Sequence, residues 1–194
     1  IYALGCGDKL VGNTKFCQFP EEAKKKRKIG GFLDINLEIL IKLRPDLILC
    51  YPEHLDKLKI LKGKIPFLVV KHLNTTDILD SIKSVGKYLN CESKADELSK
   101  QIKKSLYQKR QKVSKPHPKV LMIADRDPDR LKTMYIIGTR VFLNEILEIV
   151  GGQNAYSGKS PYPSISVDSA AAMNSDVISE FSFSDSKKSR KKIE

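Results

Sequence analysis

Two patterns of apolar positions alternate along the chain. Leu47–Cys50, Phe67–Val70 and Val120–Ala124 are short runs with no polar interruption, which predicts strands covered on both faces. Met134–Ile137 predicts a further strand. Between these runs, apolar residues return every three or four positions, as on one face of a helix. Leu55, Leu58 and Leu61 mark a helix over 53–61, ended by Gly63. Ile78, Ile82, Val85 and Leu89 mark a second, with Asn74-Thr75-Thr76 as its cap. Leu98, Ile102, Leu106 and Val113 mark a long helix from Ser93 to Lys115, stopped by Pro116 and Pro118. At ~1.5 Å per residue such a helix reaches across a small lobe. A last helix, over 139–150, turns Phe142, Leu143, Ile146 and Leu147 inward and stops at Gly151-Gly152. Strands alternating with helices predict an α/β protein with mostly parallel sheets. The expected division is an N-terminal lobe over 1–90, a connecting helix over 91–117 and a C-terminal lobe over 118–194.

The two lobes carry an internal echo. Phe32, Ile35, Leu37, Glu38, Leu43, Asp46, Leu47 and Ile48 match Tyr162, Ile165, Val167, Asp168, Met173, Asp176, Val177 and Ile178 at a constant offset of 130. Each copy reads as a loop aromatic, a helix with an acid in its first turn, and an Asp leading into a strand. An acid there suits the positive end of the helix dipole. The repetition also predicts a pseudo-symmetric pair of surface acids, Glu38 and Asp168.

Charge changes the picture less than its size suggests. The 194 residues carry 35 Lys and Arg against 23 Asp and Glu, a net charge of +12. Lys24-Lys25-Lys26-Arg27-Lys28 and the lysines from Lys100 to Lys115 hold much of it. In the second stretch the lysines fall opposite the apolar face, which reads as a solvated surface. No zinc finger, RNA-recognition signature or phosphate loop accompanies the charge, so no nucleic-acid partner is expected. The apolar runs are far shorter than the ~20 residues of a membrane helix. Cys6, Cys17, Cys50 and Cys91 form no Cys-x-x-Cys pair. Ile1–Leu4 reads as the last turn of a helix begun earlier, and the chain stops inside the charged segment 186–194, so both ends look cut. A Gly-x-Ser-x-Gly elbow is absent, and Gly5-Cys6-Gly7 is not completed by a glycine at Leu10.

One ordered set of short motifs is more specific than any of these features. Leu10-Val11-Gly12, Phe16–Ala23, Ile29–Phe32, Asn36-Leu37-Glu38 and Leu43–Ile48 are followed by Gly138, Asn144–Leu147, Gly151–Ala155 and Pro161–Ser166. In this order they resemble the substrate-binding proteins of vitamin B12 and ferric-siderophore ABC importers. The resemblance covers essentially the whole chain. It implies two Rossmann-like α/β lobes joined by a single long backbone helix, a class III binding protein, here incomplete at both ends. It also implies an extracytoplasmic or periplasmic monomer, lipid-anchored in some members, that is not an enzyme and carries no cofactor or metal of its own. The ligand implied is a metal chelate, either a corrinoid or a ferric siderophore or haem, held by aromatic rings in a cleft between the lobes.

By the same resemblance Phe16, Phe32 and Tyr51 from the first lobe and Tyr162 from the second contact the ligand. Arg126, with Arg130, faces an anionic one, although Asp125, Asp127 and Asp129 compete for both guanidiniums. Glu38 and Asp168 are the implied docking acids for arginines of the permease. Phe19 is assigned to the core. Tyr51 follows a strand, at the end where open α/β sheets bind ligands. The family often uses Trp at such places, and this chain has none. Two alternatives stand beside this reading: a zinc- or manganese-binding protein of a related importer, and an enzyme on a similar fold. His54, His72 and His117 are too scattered in sequence to make a metal site on one element.

Overall fold

Parallel strand pairs organise the N-terminal residues, and a mixed sheet organises the C-terminal ones. In the computed structural model, residues 1–110, 117–126 and 132–181 are described, Arg110 by its backbone alone. The chain divides into two units, Ile1–His72 with Thr76–Lys103, and Leu73–Thr75 with the described residues from Lys104 on. The expected helix end at 111–116, Asp127, Asp129, Arg130 and the basic segment 182–194 lie outside the described residues.

In the first unit the order is β1 (Gly12–Asn13), α1 (Glu21–Lys24), β2 (Arg27–Lys28), α2 (Leu37–Lys42), β3 (Ile48–Cys50), α3 (Leu55–Leu58), β4 (Phe67–Val69), α4 (Thr75–Tyr88) and the start of α5 (Glu92–Arg110). Strands β1 and β2 pair in parallel, as do β3 and β4. One core gathers Ile35, Leu40, Ile48, Cys50, Leu58 and Leu61; another gathers Leu4, Cys6, Val85 and Ala95. The expected helix over 53–61 is three short pieces, α3 between the 3₁₀ turns Pro52–His54 and Lys59–Leu61. Its leucines are spaced by three, which matches the three residues per turn of a 3₁₀ helix. Helices α4 and α5 meet at Gly86, where a Cβ would come within 2.4 Å of the Ala95 Cβ.

Part of the basic run is structural. The Lys28 ammonium donates to Asn13 Oδ1 at 2.8 Å, to the Ala23 carbonyl at 3.0 Å and to the Cys17 carbonyl at 3.3 Å. Lys24 pairs with Glu21 one turn earlier. On α5 the lysines are exposed and Leu98, Ile102 and Leu106 half-buried, the amphipathic pattern read from the sequence.

The second unit is built on β5 (Lys119–Arg126), with β6 (Thr133–Ile136), α6 (Phe142–Ile149), β7 (Gln153–Asn154), β8 (Ser164–Ser166), α7 (Val167–Ala172) and β9 (Val177–Glu180). Strands β7 and β9 run parallel to β5, but β6 is antiparallel to β5 and β8 antiparallel to β6. The expectation of mostly parallel sheets therefore fails here. Residues 127–132 are too few for a parallel crossover, which needs about a dozen. Alternate β5 residues feed two cores, Val120 and Met122 with Val141 and Leu147, Leu121 and Ile123 with Ile136 and Ala170. Burial on both faces explains the unbroken apolar run. Helix α6 begins at Phe142, not Thr139, whose hydroxyl donates instead to the Gly158 carbonyl at 2.7 Å. Ile146, expected inward, is 39% exposed; the buried positions are Asn144 and Leu147.

The internal echo survives as geometry. Asn36 and Ser166 cap α2 and α7, accepting from Ile39 N–H and Ser169 N–H. Both helices have six residues, and both exit through a left-handed non-glycine residue, Arg44 (φ 45°) and Asn174 (φ 47°). Each then leads into a parallel strand, β3 or β9.

Asn154 is the polar counterpart of these cores. Its amide donates to the Ile137 and Gly138 carbonyls and to Asn144 Oδ1, and its own oxygen accepts from Tyr156 N–H. Replacing Asn154 with Ala leaves several of these partners unsatisfied, and urea denaturation of the variant should show a loss of about 1–3 kcal/mol.

Candidate ligand site

The register of β3 with β4 sets Cys50 opposite Val69, and Val70 N–H then donates to the Cys50 carbonyl at 2.9 Å. Both strands end at the same level, and the residues that follow carry rings. Tyr51 lies 4.2 Å, centroid to centroid, from His72 and 5.7 Å from His54. Phe32 packs edge-on against His54 at 4.7 Å and lies 6.1 Å from Tyr51. Four rings therefore cluster at the C-terminal ends of a parallel pair, the end at which open α/β sheets present ligands.

Local structure fixes each member. His54 closes the turn after Tyr51, its Nδ1 accepting from Tyr51 N–H at 3.3 Å. That bond assigns the proton of the neutral ring to Nε2. Nε2 is buried and has no hydrogen-bond partner among the described residues. Phe32 projects from a tight reversal in which Gly30 bridges Ile35 and takes φ 107°. A Cβ on Gly30 would lie 2.3 Å from the Asp34 carbonyl oxygen, so the reversal requires glycine. Burial pushes the Tyr51 phenol up from its ordinary value, with Cys17 and Glu53 adding to the shift.

Phe16 has no ring partner among the described residues; it is 65% exposed, with the Lys15 ammonium 5.4 Å from its centroid. Phe19, expected in the core, is 90% exposed. It precedes Pro20 across a cis bond at the start of α1, and the buried apolar position of that helix is Ala23.

In the second unit Tyr162 is held by the backbone on either side of it. Gly138 N–H donates to the Pro161 carbonyl at 2.8 Å and Ile136 N–H to the Pro163 carbonyl at 3.0 Å. A Cβ on Gly138 would lie 1.9 Å from the Ser160 carbonyl oxygen, so only glycine permits the crossing. Burial raises the Tyr162 phenol as well. Arg126, at the end of β5, forks onto Glu180 of β9 through Nε at 2.7 Å and Nη2 at 2.9 Å. This hydrogen-bonded pair holds the guanidinium charged, against a smaller opposing effect of burial. Among the described residues the acid that engages Arg126 is thus Glu180, more than fifty positions along the chain from the aspartates weighed in the sequence. Glu38 is exposed on α2 and pairs with Lys42 at 2.6 Å; Asp168 occupies the equivalent first-turn position of α7. Among the described residues no three His, Cys, Asp or Glu side chains gather as a metal site, and no helix is long and apolar enough to cross a membrane. His117 lies in the second unit, 3.0 Å from the Gly151 carbonyl.

The family model for periplasmic binding proteins matches residues 1–191. The chain belongs to the periplasmic binding protein family. It is 33% identical over 187 residues to the uncharacterized ABC transporter substrate-binding lipoprotein YvrC of Bacillus subtilis, covering 91% of this chain and 58% of that protein. It is 31% identical over 173 residues to the vitamin B12-binding protein of Vibrio vulnificus, covering 86% of this chain and 61% of that protein. The chain thus spans about three fifths of the length of these relatives. A periplasmic heme binding protein from Pseudomonas aeruginosa shares the fold, with a TM-score of 0.81 at 24% identity over 93% of this chain and 67% of that one.

Within this periplasmic binding protein, sequence reasoning named Phe16, Phe32 and Tyr51 for the first unit and weighed His54 and His72 only as metal ligands; the structure brings Phe32 and Tyr51 together with both histidines and leaves Phe16 apart. Position was the available signal: His54 is three residues beyond Tyr51, and His72 follows the second strand of the pair. The two raised phenols give a spectroscopic prediction. Tyr51 and Tyr162 should ionise above the ordinary phenol value in an absorbance titration, and the high-pH step should shrink in Tyr51→Phe and Tyr162→Phe. Since the folded phenols hold their protons longer than the unfolded ones, the stability linked to them is fully present below pH ~10 and is lost as pH rises from there through the raised folded values. Gly138→Ala should displace the Ser160–Pro163 segment and bring the Tyr162 ionisation down towards that of an exposed tyrosine.

Proposed function

We propose that this protein is the substrate-binding component of an ABC importer, working outside the cytoplasmic membrane, and that its ligand is a metal chelate with a large flat face, a corrinoid foremost. The observation that carries this reading is the ring cluster of Phe32, Tyr51, His54 and His72 at the ends of β3 and β4 in a periplasmic binding protein. Clustered aromatic rings offer apolar contact at little conformational cost, which suits a macrocycle better than a sugar or a bare ion. The Vibrio vulnificus relative, named a vitamin B12-binding protein, favours the corrinoid. Haem is the second reading, favoured by the fold shared with the Pseudomonas aeruginosa protein; a ferric siderophore is the third chelate to be tested.

The ring contacts assigned are Phe16, Phe32 and Tyr51 from the first unit and Tyr162 from the second. Arg126, with Glu180, supplies a polar rim at the ends of β5 and β9. Residues 1–90 and 118–194 are taken as the two lobes and 91–117 as the helix joining them. Glu38 and Asp168 are assigned to the permease, where carboxylate–arginine pairs give register. The reading assigns the protein no metal or cofactor of its own.

Equilibrium binding by the full-length protein, read as colour retained after ultrafiltration with cyanocobalamin, cobinamide, haemin and ferric siderophores, tests the ligand. One-to-one retention of a corrinoid is the expected result, weakened roughly 10- to 100-fold by Tyr51→Ala or Tyr162→Ala, the loss of about 1–3 kcal/mol of ring contact. Haemin retained in its place selects the second reading, and retention of nothing removes the proposal. The Glu38→Ala/Asp168→Ala double variant should abolish uptake with ligand affinity unchanged; a loss of affinity would refute that division of labour.

A further inference from the structure

Cys6 and Cys91 are 85 positions apart in sequence, yet their sulfurs lie 3.2 Å from one another. Both side chains belong to one apolar cluster of the first unit, with Leu4, Val85 and Ala95. Their backbones are fixed independently. Cys6 N–H donates to the Ile1 carbonyl, and Cys91 N–H donates at 2.8 Å to the Gly86 carbonyl, in the turn that ends α4 through Asn90 at φ 53°. The other two cysteines have different surroundings: Cys17 faces Thr14 Oγ1, and Cys50 is buried in β3. We propose that Cys6 and Cys91 form a disulfide in the exported protein, stapling the start of this chain to the turn between α4 and α5.

A bond of about 2.0 Å requires the sulfurs to close by little more than 1 Å, within the reach of small side-chain rotations. The chemistry is exchange with an extracytoplasmic protein disulfide. Cys91, the more exposed thiol, loses its proton and attacks the carrier disulfide, giving a mixed disulfide and one carrier thiol. Cys6, as its thiolate, then attacks the Cys91 sulfur and expels the second carrier thiolate, which takes up a proton. Two electrons and two protons pass to the carrier, and one S–S bond replaces another. Lys9 and Lys94 lie beside Cys91 and favour its thiolate, against burial and the neighbouring Cys6, whose combined effect holds the thiol above its ordinary value. An attacking thiol in that condition is slow without a carrier, which is why the carrier is part of the proposal.

The proposal rests on the extracytoplasmic location read above, and its test separates the two. Purified full-length protein is oxidised in a glutathione buffer, denatured, alkylated with N-ethylmaleimide and mapped without reduction. The expected map has label on Cys17 and Cys50 only, with the Cys6 and Cys91 peptides joined. Reductant should then lower the thermal midpoint by on the order of 10 °C, because the bridge closes a long loop, and the shift should vanish in Cys91→Ser. Label on all four cysteines after oxidation overturns the pairing, whatever the protein binds or wherever it works. The same map on protein alkylated within intact cells tests the native state. A joined pair there supports the proposal, and four labelled thiols there overturn it as a native bridge even if ligand binding stands.

Discussion

The parallel register that sets Cys50 against Val69 is the constraint on which the candidate site depends. Shifting it by one residue would turn the side chains of one strand to the other face, burying what is now presented and exposing what is now core. In the observed register Ile48 and Cys50 enter the core while Tyr51 and His72 emerge at matched height and meet at 4.2 Å. His54 and Phe32 then add to an arrangement the strands have already made. The same logic operates in the second unit, where the backbone crossing at Gly138 determines where Tyr162 stands. In both places a backbone relation fixes an aromatic, and the aromatic's chemistry follows from its partial burial.

The features legible in the sequence are those governed by short-range periodicity. Val120–Ala124 read as a strand buried on both faces because alternate residues do serve two cores. The echo at an offset of 130 was readable because each copy packs its cap, acid, helix and strand into a continuous stretch, and the left-handed exits at Arg44 and Asn174 keep the same offset. Features governed by long-range pairing were not legible. The acid at the start of α4 is one: the Asn74–Thr76 cap was readable, but not the Glu145 carboxylate, seventy positions away in the same unit as Thr75, to which Thr75 donates through both its N–H and its hydroxyl. Arg126 is another, since its partner Glu180 comes from a strand that only the sheet brings alongside. Phe19 misled because a large apolar residue near a helix start ordinarily packs inward, and here Ala23 fills that role. The antiparallel β6 was within reach of the sequence, through the short stretch between it and β5.

The lack of tryptophan gives the ring cluster a different character from one built on indoles. Phenols and imidazoles carry polar atoms at the ring edge, so the cluster can offer hydrogen bonds as well as faces. His54 Nε2, a buried donor without a partner among the described residues, is the clearest instance. Leaving such a donor unsatisfied costs about 1–3 kcal/mol, and an acceptor that reached it would recover that energy where a hydrocarbon would not.

Mechanically, the stretch from Glu38 to Tyr51 is a strut. Its helix is clamped at the start by the Asn36 side chain and at the end by the Arg44 turn, and its strand is fastened to β4. Little in it can yield, because a six-residue helix, a tight exit and a paired strand leave few soft torsions. A load applied at the carboxylate would therefore reach the phenol with little lost to intervening give. The copy from Asp168 through β9 to Glu180 is capped and paired in the same way and ends on the fork that holds Arg126. Each unit thus contains a short rigid rod with an acid near one end and a ligand-facing candidate at the other, so that force, not only shape, can pass along it.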